Sequence, residues 1–119
     1  MSTTMNWKQF LEEHHEHPNP VRNVVKRDGR VERYDREKIE AAVTRAFEAE
    51  GLMGDAARGR VKAVVAAVEE KLAAFMQKRH PNSAPAIEEI QDLVETALVE
   101  ANEARVAKAY IIYRARHEA

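Results

Sequence analysis

The chain has 119 residues, 45% hydrophobic and 33% charged, with a formal net charge of −1 and no cysteine. That length suits one domain with a modest core, the residue balance suits helices with one apolar and one solvated face, and the near-neutral charge argues against a general nucleic-acid binder. Disulfides are excluded, and no run approaches the roughly 18 apolar residues of a membrane span, so a cytoplasmic protein without a membrane partner is expected.

In chain order, Met1 to Asn19 carries acidic residues and histidines where a signal peptide would carry an apolar core. Trp7, Phe10 and Leu11 form a short amphipathic pattern, suited to docking on the rest of the chain or on a partner. Glu12-Glu13-His14-His15-Glu16-His17 and the breaker Pro18-Asn19-Pro20 follow. Residues 1–20 are therefore read as an extension, a short helix or a disordered arm, ahead of a domain spanning residues 21–117. His14 and His17 can share a helix face and bind zinc or nickel weakly, but histidines in an acidic terminal segment are more commonly solvated, and no metal site is assigned.

The most informative stretch runs from Val24 to Ile39. Asp28-Gly29 between valine-containing runs predicts a hairpin with a two-residue turn, in which Gly29 takes a positive φ and Asp28 tolerates one. Lys26 and Arg27 then precede the turn and Arg30 follows it. Asp35 is placed to cap a helix that starts at Arg36. From Arg22 to Lys38, seven Lys/Arg against four Asp/Glu give +3, which leaves −4 for the rest of the chain. A field this local suits one polyanionic ligand better than a long phosphate backbone.

Four helical stripes follow, with apolar residues three or four apart. Ile39, Ala42, Val43, Ala46 and Phe47 form the first, ended by Gly51. Val61, Val64, Val65, Val68, Leu72 and Phe75 form the second, which stops before His80-Pro81. Ile87, Ile90, Val94, Ala97 and Leu98 form the third, with Pro85 near its first turn and Glu88 and Glu89 near its positive end. Val106, Ala109, Tyr110 and Tyr113 form the fourth. Short connections make neighbours antiparallel, so the expected fold is mainly α with a small β element: a four-helix bundle capped at one end by the N-terminal hairpin. The hairpin needs that surface, because an isolated two-stranded ribbon is marginal in water.

Three stretches, Val25 to Ile39, Pro85-Ala86-Ile87-Glu88-Glu89-Ile90-Gln91-Asp92-Leu93-Val94-Glu95 and Val106-Ala107-Lys108-Ala109-Tyr110-Ile111-Ile112-Tyr113-Arg114, occur in an order and spacing that resemble the ATP-cone. ATP-cones are regulatory nucleotide-binding domains found mainly at the N-terminus of ribonucleotide reductases, and the resemblance covers roughly Arg22 to Arg116. Ribonucleotide reduction uses cysteines as thiyl radical and as reductant, so a chain without cysteine is not by itself a reductase. The same absence argues against a reductase-gene repressor in which the ATP-cone follows a Cys-rich zinc ribbon. A regulatory domain without catalytic residues remains, isolated or cut from a larger protein.

The resemblance implies ATP and dATP as ligands, with Mg²⁺ accompanying the phosphates through their oxygens and water. Lys26 and Arg27 would face the phosphates, although strand alternation sends adjacent residues to opposite faces, and the resemblance favours Lys26. Glu32 and Asp35 would accept hydrogen bonds from the sugar hydroxyls or the adenine amine; for both, a salt bridge or helix cap is the simpler alternative. Lys38, one turn into the first helix, would return to the phosphates beside the helix N-terminus, against the alternative of a solvated lysine. Val25, Ile39 and Ile87 would form the apolar slot for adenine, or serve only as core. Ala84 stands where some members carry a hydroxyl residue, with Ser83 one position earlier, which weakens the case for a base contact there. Arg114 and Arg116 are candidates for a further phosphate contact, with Arg116 ranked first. The implied action is an allosteric switch on ribonucleotide reductase subunits or a catalytic domain, by conformational change or by homo-oligomer formation. The alternative is a helical interaction module, or a transcriptional regulator, that has lost or repurposed nucleotide binding.

Overall fold

The computed structural model describes residues 21–80 and 82–117. The readings made for residues 1–20, including Trp7, Phe10 and the His14 and His17 pair, lie outside the described residues.

Strands β1 (Asn23–Val25) and β2 (Val31–Arg33) pair antiparallel with Val24 opposite Glu32 and Val25 opposite Val31. The turn differs from the two-residue expectation. Lys26 N donates to Arg30 O at 2.7 Å and Gly29 N to Lys26 O at 2.9 Å, which leaves Arg27, Asp28 and Gly29 as a three-residue loop. Only Gly29 takes a positive φ, +90°, as the last residue of such a loop must. Asp28 stays on the ordinary side of the map. Its carboxylate instead accepts the Arg30 amide at 3.0 Å and Arg30 Nε at 2.7 Å, which staples the loop to the following strand.

Helix α1 (Arg36–Ala49) starts as the sequence indicates: Asp35 is the cap, and its side chain accepts Glu37 N at 3.0 Å. It ends with Gly51 at φ +74°, where Gly51 N bonds Glu48 O and Leu52 N bonds Phe47 O, satisfying two carbonyls the helix leaves open. Helix α2 (Asp55–Gln77) starts well ahead of its first predicted apolar residue, Val61, and is long enough to run from one end of the bundle to the other. Helix α3 (Ile87–Glu100) begins after Pro85 rather than around it. Pro85 is fully buried, its carbonyl accepts Val25 N at 2.9 Å, and Val25 and Ala86 form a parallel bridge. The proline therefore serves as a third rung beside the hairpin, and Glu89 caps the helix by accepting Ala86 N at 2.8 Å. Asn102, at φ +62°, ends α3 with the same two-bond pattern as Gly51, and helix α4 (Ala104–His117) follows.

The helices close a ring in which each packs on its sequence neighbours and α1 meets α4. A main core of Val43, Phe47, Val61, Val64, Val65, Val68, Val94, Leu98, Val106 and Tyr110 fills it. A smaller cluster of Val21, Val24, Leu72 and Ile90 seats the hairpin on the end formed by α2 and α3, with Tyr34, Ile39 and Ile87 at its margin. No described helix is long and apolar enough to cross a membrane.

A candidate nucleotide site beneath the hairpin

Residues two apart on a strand share a face, and directly paired residues do too, so Val24, Lys26, Glu32 and Tyr34 look inward toward the helices. They form the roof of a pocket of about 50 Å³, whose side is Asp35 and Lys38 at the start of α1 and whose floor is Ile39, Ile87 and Ile90. Cations, acceptors, an apolar floor and a helix N-terminus thus converge within one small volume, the combination a phosphorylated ligand with an apolar ring requires.

The charge is organised around Glu32. One of its oxygens lies 4.0 Å from Lys26 Nζ and 3.6 Å from Lys38 Nζ, and the other lies 3.6 Å from the Arg30 guanidinium. A single carboxylate therefore gathers the lysine that follows β1 and a lysine from α1. The arrangement is labile, because these distances are those of loose ion pairs and Lys38 is well exposed. Away from the pocket, the Arg30 amide and guanidinium hold the Asp28 carboxyl below its ordinary range, an exposed contact that stiffens the loop.

Of the residues singled out in the sequence, Lys26, Glu32, Asp35, Lys38, Ile39 and Ile87 meet at this pocket. Val25 faces the other way, is half-buried, and contributes through its backbone link to Pro85. Arg27 reaches Glu88 of α3 with Nε 3.4 Å from the carboxylate, outside the pocket lining. Arg116 lies in a different cleft, between α1 and α4, with Arg105, Lys108 and His117. Arg114 joins α4 to α3 through Asp92 at 2.8 Å and Glu95 at 2.7 Å. The pocket also takes Val24, Arg33, Tyr34 and Ile90, none of which was singled out as a ligand residue. Alternation from Lys26 points to Val24, the same parity from Glu32 points to Tyr34, and helical spacing from Ile87 points to Ile90. Among the described residues, no group of three or more His, Asp or Glu side chains could hold a metal ion.

The family model described as the ATP cone domain matches residues 22–119. A vitamin B12-dependent ribonucleoside-diphosphate reductase of Thermoplasma acidophilum is 35% identical over 106 residues, which cover 83% of this chain and 12% of that protein. A ribonucleoside-diphosphate reductase subunit alpha of Chlamydia muridarum is 35% identical over 98 residues, covering 77% of this chain and 9% of that protein. The chain thus spans about a tenth of the length of these relatives. With a hairpin-capped four-helix ring and a match over nearly its whole described length, the chain belongs to the ATP-cone domain family.

Proposed function

We propose that this domain binds ATP and dATP in the pocket beneath the hairpin and regulates ribonucleotide reduction allosterically, as part of a reductase or as a partner to one. The observation that carries the reading is the convergence of Lys26 and Lys38 on Glu32 above the Ile39, Ile87 and Ile90 floor. The two lysines take the phosphates, where compact charges beside a helix N-terminus favour an anion. Arg27, about half exposed, adds long-range attraction from the hairpin tip. Glu32 and Asp35 supply acceptors for the sugar or the adenine amine, and the apolar floor takes the ring. Mg²⁺ arrives on the phosphates and needs no protein cage.

The pocket's size adds a mechanism. Its 50 Å³ is far below the roughly 300–1,000 Å³ usual for ligand sites, so binding has to part Glu32 from its lysines and open the space between hairpin and α1. Binding and conformational change are then one event. ATP and dATP differ by a single hydroxyl, and they regulate in opposite directions only if that hydroxyl is worth different amounts in two conformations or assemblies. Asp35, both helix cap and pocket wall, is where such a difference passes into α1. The target is a catalytic domain or subunit of the reductase in the cytoplasm, with subunit association as one outcome.

Calorimetric titration of the chain with ATP and dATP in the presence of Mg²⁺, with solution mass at saturation, tests this. Saturable binding lost in Lys26→Ala and Lys38→Ala supports it, and absence of binding to either nucleotide overturns it. The second reading, a helical interaction module, draws on the α1–α4 cleft, where half-exposed Ile112 lies beside Arg105, Lys108 and Arg116 and its neighbour Ile111 is exposed as well. On that reading the two lysine substitutions leave partner binding unchanged.

A further inference from the structure

Glu69 on α2 is the one buried charged side chain among the described residues, with 1% of its surface exposed. One carboxylate oxygen accepts Tyr34 Oη at 2.8 Å and the other accepts Arg36 Nε at 2.8 Å. Its two partners flank Asp35 on either side in the chain. A buried carboxylate is costly, and a well-packed apolar residue at such a position is often at least as stabilising, so stability alone is a weak reason for a glutamate here.

The spaces around this segment supply a better reason. The nucleotide pocket and a second cavity of about 270 Å³ share Arg33, Tyr34 and Asp35 in their linings, the second adding Val21, Arg22, Arg36 and Glu69. The segment is therefore a partition shared by two cavities. Where it borders them close packing is interrupted, and the two hydrogen bonds to Glu69 supply fixed points beside the packing of Tyr34 on the smaller core cluster. Because α2 also carries Val61, Val64, Val65 and Val68 in the main core, the anchor is rigid.

We propose that Glu69 is a positioning residue for the ligand pocket: through Tyr34 and Arg36 it fixes Asp35 and the first turn of α1 in the register that a nucleoside triphosphate meets. The inference rests on the nucleotide reading of that pocket. It assigns no ligand contact to Glu69 itself. It also makes α2 the element that senses when the partition moves on binding.

The test is a double-substitution cycle read by ATP affinity, using the full chain at a temperature where circular dichroism shows each variant folded. Glu69→Gln and Tyr34→Phe are each expected to weaken ATP binding by about tenfold, the factor one charge-assisted hydrogen bond is worth. The combined variant is expected to bind no more weakly than the worse single one, because both remove the same link. Val64→Ala, in the α2 core away from the partition, lowers stability and leaves affinity unchanged, which separates positioning from general weakening. Wild-type affinity in Glu69→Gln, or simple addition of the two losses, overturns the inference while leaving the nucleotide reading in place. Absence of ATP binding by the unmodified chain overturns both. Should Glu69→Gln fail to fold, Tyr34→Phe and Arg36→Met, each of which removes one of the two bonds to Glu69, are measured singly, and wild-type ATP affinity in both overturns the inference.

Discussion

The two ends of the bundle are built on opposite terms. Around the α1–α2 and α3–α4 connections the interior is apolar, with Phe47, Val65 and Leu98 fully buried and the helix ends closed by Gly51 and Asn102 in left-handed conformations. At the hairpin end the seat is four buried apolar residues, and beside it stand two lysines, a carboxylate among cations and a partition shared by two cavities. On the proposed function the contrast separates stability from recognition: the far end holds the fold, and the hairpin end is the part that opens for a ligand.

Substitutions should therefore sort by position. Phe47→Ala removes the largest fully buried side chain of the main core and should cost about 3–5 kcal/mol in chemical denaturation, with nucleotide affinity unchanged in the fraction that stays folded. Gly51→Ala forces a Cβ onto φ +74° and should cost roughly 1–2 kcal/mol, again without effect on binding. Asp35→Ala removes the α1 cap for about 1 kcal/mol, and here the two properties meet, since a pocket wall goes with it and the preference between ATP and dATP should change. Lys26→Ala and Lys38→Ala should leave stability within about 0.5 kcal/mol while abolishing stabilisation by nucleotide. If Phe47→Ala and Lys26→Ala acted alike on affinity, the separation of the two ends would be lost.

The smallest effect is in acid. The Asp28 carboxyl is held below its ordinary value of 3.8 by the Arg30 amide and side chain, so its charged form belongs to the folded loop. The stability it adds is complete above that ordinary value and disappears as pH falls through the lowered one. Asp28→Asn should remove this part of the acid dependence and nothing at neutral pH beyond the range of surface substitutions, as followed by amide exchange in the hairpin.

The helices were legible because each carries an unbroken apolar stripe and most have local stop signals, Gly51 above all. Asn102 was missed as a helix end because asparagine takes the left-handed conformation only sometimes, and only the Leu98 and Val99 carbonyls disclose that it does so here. The turn was read one residue too short, since Asp-Gly satisfies both a two-residue loop and a longer one, and only the bond from Lys26 N to Arg30 O shows which one closes here. Six of the residues singled out by charge, capping and resemblance line the pocket beneath the hairpin. Val24 was passed over for Val25 because alternation was applied to Lys26 and Arg27 and not carried back two residues. Arg116 was ranked above Arg114 on register alone, and the two-residue step between them turns a helical side chain by about 200°, which puts Arg116 in the α1–α4 cleft and Arg114 against α3. Glu69 had no local signal: a glutamate within an apolar stripe reads as solvent-facing until a tyrosine and an arginine 35 and 33 residues away are found bonded to it.

The central claim is that nucleotide binds between the hairpin and α1, and thermal unfolding with and without ATP tests it most directly. With ATP at a hundred times its dissociation constant, binding to the folded state is worth about 2.7 kcal/mol and should raise the melting temperature by on the order of 10 °C, an increase lost in Lys26→Ala and Lys38→Ala. An unchanged melting temperature for the native chain, or an equal rise in both lysine variants, would contradict the account.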